Sequence, residues 1–270
     1  MIESAIIFGG SKGIGKSIGD YLLEQGTQVT VAARTELICE PSISNLNCVS
    51  VDIGSLEQVE SAFEAHQMAY ASPPQVVINT AATQGPIGYS WQCNHSQWQD
   101  SIHTNLVGSY NVAIASIRFM MARASGSIIL FSGGGAAYSR PHFSSYAVSK
   151  TGVLRLVEVL SDELRLAGYP SILINAVAPG AVKTSMTETI LHSEVQLTTA
   201  EMSSAEETSR TGGTQVNLIF SLIDFLCNQE VNGKLSGRLI HVRENYRELV
   251  NRFHGNMPED IGKLRRVPIL

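Results

Sequence analysis

The sequence predicts an α/β fold, a parallel sheet covered by helices on both faces. Short apolar runs alternate with longer amphipathic segments along the 270 residues, the pattern of strands joined by crossover helices. The runs are continuously apolar, as in strands buried on both faces, and do not alternate with polar residues. The first of them ends in a glycine cluster that opens a helical segment.

The elements follow in order. Strands are expected at 5–8 (AIIF), 29–33 (VTVAA), 48–51 (CVSV), 76–79 (VVIN), 127–131 (SIILF), 172–176 (ILINA) and 239–242 (LIHV). Helices are expected near 14–25, 56–66, 98–122, 145–166 and 215–226. No linker, repeat or charge block divides the chain, so one domain over 1–270 is expected. The segment 184–212 is rich in Thr, Ser and Glu with little apolar periodicity, and reads as a long functional loop, a mobile lid. Residues 245–270 mix charges with two prolines and read as an extended tail or a short helix plus tail.

Composition sets limits on function. The chain is 44% hydrophobic and 16% charged, with a formal net charge of -5, which argues against nucleic acid or an anionic membrane as partner. Cys39, Cys48, Cys93 and Cys227 form no CxxC pair. They are expected to be reduced in a cytoplasmic protein, with no disulfide framework. The seven histidines show no metal-ligand spacing, so no metal is expected. Neither a signal peptide nor a membrane span is expected.

Residues 8–15 read FGGSKGIG. Glycines between a strand and a helix permit a tight turn and close approach to a phosphate, and the N–H groups at the helix start favour the anion. The spacing Gly9-xxx-Gly13-x-Gly15 is not that of the general dinucleotide fingerprint. Taken alone it fits a plain structural turn as well as a binding loop. The second strand ends in Ala33 and Arg34, where an acidic residue would bind the ribose hydroxyl of NAD. Arg34 and Lys12 instead supply cations for a 2′-phosphate, which points to NADP(H). Asp52 and Ile53 follow the third strand, where an adenine would lie.

Residues 144–150 read SSYAVSK. Tyr146 and Lys150 share a helix face at i and i+4. A nearby ammonium stabilises phenolate, so the pair suits proton transfer to a carbonyl. Spacing alone fits an ordinary amphipathic pair equally well. His142 and Tyr138 either line the pocket or face solvent.

Taken together, GGSKGIG, the strand end Asn79-Thr80-Ala81-Ala82, Asn105, YAVSK and Asn175-Ala176-Val177-Ala178-Pro179-Gly180 resemble the short-chain dehydrogenases/reductases, in their ordinary single-domain branch. The resemblance extends to about Val242. It implies a Rossmann-type doubly wound sheet of seven strands in the order 3-2-1-4-5-6-7, with NAD(P) across the carboxyl ends. It also implies a homodimer or homotetramer packed through the helices near 98–122 and 145–166. Carried over by position, Tyr146 is the acid/base and Lys150 its partner. Ser132 polarises the substrate oxygen, and Asn105 supports a water chain behind the lysine. The implied cofactor site comprises Gly9, Ser11, Lys12, Gly13, Ile14, Gly15, Arg34, Asp52, Ile53, Asn79, Ala81, Tyr146, Lys150, Pro179, Gly180, Val182 and Thr184.

This chain departs from the family pattern at several places. Phe8 stands where a threonine is usual, NTAA where NNAG is usual, and Arg243-Glu244-Asn245 where Asp-Gly-Gly is usual. The serine usually lies thirteen residues before the tyrosine. Here that count lands on Gly133, and Ser132 is one further away. Ser132 directly follows the fifth strand, so it is expected within hydrogen-bond reach of the Tyr146 hydroxyl, or one water away. The expected function is an NADP(H)-dependent oxidoreductase acting on a small carbonyl or secondary alcohol. A cofactor-sensing protein with little turnover, or an epimerase or dehydratase that keeps its cofactor, are the alternatives. Substrate choice is expected to reside in 84–93, 136–143, 184–212 and the tail.

Overall fold

The computed structural model describes residues 2–35, 39–40, 42–253 and 257–265. Seven strands form one sheet: β1 (Ser4–Phe8), β2 (Gln28–Ala33), β3 (Leu46–Ser50), β4 (Val76–Asn79), β5 (Gly126–Phe131), β6 (Ile172–Ala178) and β7 (Leu239–His241). Their order is β3-β2-β1-β4-β5-β6-β7, and every neighbouring pair is parallel. The helices are α1 (Gly13–Glu24), α2 (Leu56–Tyr70), α3 (His95–Ile102), α4 (Gly108–Met121), α5 (Ser144–Leu166), α6 (Ser185–Leu191), α7 (Thr199–Thr211), α8 (Val216–Cys227) and α9 (Tyr246–Arg252). The fold is the Rossmann-type sheet that the apolar runs and the resemblance implied.

Strand alternation divides the core. Ile6, Phe8, Ile128 and Leu130 pack beneath Phe63, Met120 and Val153 of α2, α4 and α5. Their neighbours Ala5, Ile7, Ile129 and Phe131 face Ile18 and Leu22 of α1 and Ile219 and Leu222 of α8. Each such large aliphatic or aromatic side chain contributes about 1.5–3 kcal/mol when fully buried.

Three expectations are corrected. The helix placed at 98–122 begins at His95, where the Asn94 side chain accepts from the Gln97 N–H at 3.0 Å. It is broken by a π-type turn over His103–Val107. The segment 184–212 is not a plain loop, because it contains α6 and α7. Thr198 caps α7 by accepting from the Glu201 N–H at 3.3 Å. Ile190, Leu197 and Ala205 of this segment bury against Phe143 in a small apolar cluster of their own. Finally, Cys39 and Cys48 form a disulfide, with their Cα atoms 5.8 Å apart. Cys39, nine positions before Cys48 of β3, lies beside that strand. Cysteine usage therefore gives no ground for a reducing compartment. Cys93 and Cys227 are free.

The tail is a short helix followed by a strap. Leu264 N–H donates to buried Glu158 of α5 at 2.6 Å, and Arg265 pairs with the same carboxylate. Along the strap, Gly262 O accepts from Leu239 N–H of β7 at 2.7 Å, while His241 N–H donates to Glu244 Oε2 at 3.0 Å. Residues 254–256 and 266–270 of the expected tail lie outside the described residues. Among the described residues no helix is long and apolar enough to cross a membrane.

Candidate active site

Strand order reverses between β1 and β4, and a crevice opens at the carboxyl ends of the strands there, as in other open α/β sheets. The resulting cleft has a volume of about 490 Å³. It is lined by Gly9, Ser11, Lys12, Gly13, Ile14, Gly15, Arg34, Ile53, Ala81, Ser132, Tyr146, Lys150, Pro179 and Thr184, residues that the sequence had marked. Thr83, Gln84 and Gly85 of the β4 loop, Thr104, and Met186 and Thr189 of α6 also line it; of these, Gln84, Met186 and Thr189 fall in segments expected to choose the substrate.

The glycine turn is a cradle that tolerates no side chain. Gly9 has φ +80°, and a Cβ there would lie 2.5 Å from Ala81 N. A Cβ on Gly15 would lie 2.4 Å from both Gly9 O and Thr80 Oγ1. Thr80 explains the departure from the family pattern at this position, because its hydroxyl donates to Phe8 O at 3.0 Å and contacts Gly9 O at 3.3 Å. It ties the turn to β4. The bare backbone at the start of α1, with Lys12 and Arg34 exposed at the rim, fits the phosphates of a dinucleotide.

Five marked residues, Asn105 among them, stand behind the lining. Asp52 turns its carboxylate to Gly54 N–H at 2.9 Å, capping a turn. Asn79 accepts from Ala81 N–H at 3.1 Å and donates to Ser109 at 3.2 Å, fixing the end of β4. Gly180 makes a φ +73° turn against Thr214, and Val182 bridges to Gly213 at the base of the lid.

Asn105 is fully buried in the π-type turn, a helix irregularity frequent at functional sites. Its side chain accepts from Thr83 N–H at 2.8 Å and donates to Thr83 O at 2.9 Å and Ser149 Oγ at 3.2 Å. It therefore fastens the β4 loop to α5.

Lys150 is buried, and its Nζ donates to Phe131 O at 2.7 Å and lies 5.7 Å from the Tyr146 ring centre. Burial lowers its pKa to about 8. Burial also raises the Tyr146 phenol above its ordinary value, while the Arg140 cation pulls it down and Tyr138 adds to the rise.

Ser132 makes no direct bond to the phenol, one of the two arrangements expected of it. It lines the cleft, but its Oγ contacts Lys150 O at 3.4 Å, and no Ser132–Tyr146 hydrogen bond is present among the described residues. Ser132 N–H continues the ladder to Val177 O at 2.8 Å, so its side chain follows Leu130 toward the α5 side. The residue against the phenol is Gly133, where a Cβ would lie 2.6 Å from Tyr146 Oη.

A model of the short chain dehydrogenase family matches residues 3–195. The chain belongs to the short-chain dehydrogenase family. Its relatives include the 3-oxoacyl-(acyl-carrier-protein) reductase FabG of Chlamydia trachomatis, 29% identical over 196 residues, or 70% of this chain and 77% of the relative. The FabG of Vibrio cholerae is 25% identical over 242 residues, 88% of this chain and 94% of the relative. Among solved structures, an actinorhodin polyketide ketoreductase with NADPH superposes with a TM-score of 0.75 at 23% identity, covering 89% of this chain and 95% of the other. A Saccharomyces cerevisiae short chain dehydrogenase/reductase gives 0.80 at 16% identity, covering 91% and 98%. These structures share the fold. This dehydrogenase is a nicotinamide-dependent oxidoreductase, the activity class of its family.

Proposed function

We propose that the protein is an NADP(H)-dependent carbonyl reductase in which Tyr146 exchanges the proton. The observation that supports this best is the pair of half-buried Tyr146 and buried Lys150, which opens into the same cleft as the glycine cradle and the two cations. A bound nicotinamide supplies or accepts the hydride. Tyr146 donates a proton to the carbonyl oxygen in reduction and removes one in oxidation. Lys150, held by Phe131 O, stabilises the phenolate. Asn105 acts here through Thr83, by fixing the wall of the cleft. Ser132 exchanges its long contact to Lys150 O for the substrate oxygen as charge develops there. Arg34 and Lys12 bind the 2′-phosphate.

Relatives named as 3-oxoacyl reductases make a 3-oxoacyl thioester the first carbonyl to test. Copies of the chain pair through α4 and α5, whose Tyr110, Val148 and Val159 are exposed. Sedimentation of the purified protein tests that pairing. The Ser132 hydroxyl turned onto Lys150 O favours a second reading, a cofactor-binding protein with little turnover.

The deciding experiment follows the reduced-nicotinamide absorbance with 3-oxoacyl thioesters and simple ketones. NADPH oxidation by the native protein and its loss in Tyr146→Phe are expected; tight NADPH binding without oxidation would support the second reading. Arg34→Ala should weaken NADPH about tenfold or more, the scale of a charge-assisted contact, and spare NADH. Equal losses for both cofactors would exclude a 2′-phosphate contact.

A further inference from the structure

Arg140 lies outside the cleft lining, yet it is the cation placed against the reacting tyrosine from the lid side. Its guanidinium sits 4.0 Å over the ring of fully buried Phe143 and 5.6 Å from the Tyr146 ring centre. Glu201 of α7 holds it through two parallel bonds, Nε to Oε1 and Nη2 to Oε2, both 2.9 Å. Its side chain is 16% exposed and that of Glu201 20%. Of the ion pairs among the described residues, this one alone joins the lid to the segment that carries the tyrosine.

A fork-to-fork pair of this kind is directional as well as charged. Because both partners are largely out of water, their fields reach Tyr146 with little screening. The other ionisable groups around the phenol can be named. Lys150 faces it from α5, and Tyr138 and His142 belong to its own loop. The β4 loop from Thr80 to Gly88 carries none, and Tyr89 beyond it packs edge-on against His142. On the lid, Glu188, His192, Glu194, Glu206, Glu207 and Arg210 are exposed, as is Lys183 at its base. Glu201 is the lid's one partly buried ionisable side chain in α6 and α7.

We propose that Arg140 is a positioning residue that sets the acidity of Tyr146, and that Glu201 makes this setting depend on the lid. With the lid docked, the carboxylate offsets part of the guanidinium charge and the phenol keeps its proton. With Glu201 withdrawn, the unpaired cation favours phenolate. Proton release by Tyr146 and opening of α7 are then coupled, each promoting the other. The electrostatic part stands on the geometry; its use in turnover rests on the carbonyl-reductase reading.

Tyrosinate absorbance titrated in the free protein tests the coupling without any turnover. The Tyr146 contribution is isolated by subtracting Tyr146→Phe. Glu201→Gln should lower the Tyr146 midpoint by about one pH unit and Arg140→Gln raise it by a similar amount, the scale of one partly buried charge near 6 Å. Arg140→Lys keeps the charge and loses the fork. It should hold the midpoint below that of Arg140→Gln while hydrogen exchange in α7 increases. Midpoints unmoved in Glu201→Gln and Arg140→Gln, or moved in the same direction, would overturn the proposal and leave the pair as a plain structural tie. These shifts in the variants of a protein whose native form reduces no carbonyl would confirm the coupling and reject the functional reading.

Discussion

Ser132 and Gly133 are adjacent, yet the backbone at the end of β5 sends them to different places. Past the end of β5 the Ser132 hydroxyl contacts Lys150 O of α5, while Gly133 lies against the phenol one turn earlier on the same helix. Two substitutions separate the roles. Ser132→Ala should lower turnover about 10²–10³-fold, the cost of one oxyanion donor, with cofactor affinity nearly unchanged. Gly133→Ala should also lower turnover, but by pressing a methyl group onto Tyr146 Oη. A crystal structure of Gly133→Ala should show the phenol displaced. Full activity in Ser132→Ala would mean that this chain reduces its substrate without a serine. The motifs named Tyr146, Lys150 and the glycine turn because their chemistry is local in sequence, whereas Asn105, with partners 22 and 44 positions away, came only with the family resemblance. They did not name Arg140 or Glu201, whose partnership spans 61 positions and depends on how α7 packs against the loop before α5. The Cys39–Cys48 bridge was hidden for a similar reason, since it depends on how the chain returns to β3.

At the scale of elements, strands were legible because each is a short apolar run flanked by turns. The lid helices were not. Their faces bury few residues, and α7 keeps only Ala205 and Thr208 buried, so no long apolar stripe marks them. A weaker signal was present in Thr198-x-x-Glu201, a threonine cap with an acidic residue three positions on, which is a helix-start pattern. The capping threonine also gives a handle on lid mobility. Thr198→Ala removes a cap worth about 1 kcal/mol from a helix held by a small apolar cluster. Hydrogen exchange over 199–211 should rise roughly fivefold, with NADPH and substrate restoring protection. Unchanged exchange would show that the cluster alone holds α7. The π-type turn at Asn105 was not legible in the apolar pattern, because the helix before it, His95–Ile102, is too short for a change of phase in the stripe to stand out.

At the scale of the whole molecule, acid should loosen the fold through His66. This histidine is fully buried in α2, with Nδ1 2.8 Å from Thr30 Oγ1 of β2 and no partner for Nε2 among the described residues. Burial lowers its pKa from 6.5 to about 4. The unfolded chain binds the proton first, so the contribution of neutral His66 is fully present above about pH 6.5 and is lost as pH falls toward 4. Denaturant unfolding should show the native protein losing roughly 3 kcal/mol more than His66→Gln between pH 7 and pH 4. Equal losses would assign the acid sensitivity to other groups. The edge of the sheet carries a consequence of a different kind. Both N–H groups by which β7 could accept a stranger's strand are already taken, Leu239 by the strap and His241 by Glu244. An unprotected edge is where a sheet recruits another chain, into an ordered assembly or an aggregate. Growth from the β7 end is thus blocked while the strap stays docked. A mutation that unseats it, such as Glu158→Ala, threatens solubility before it touches chemistry.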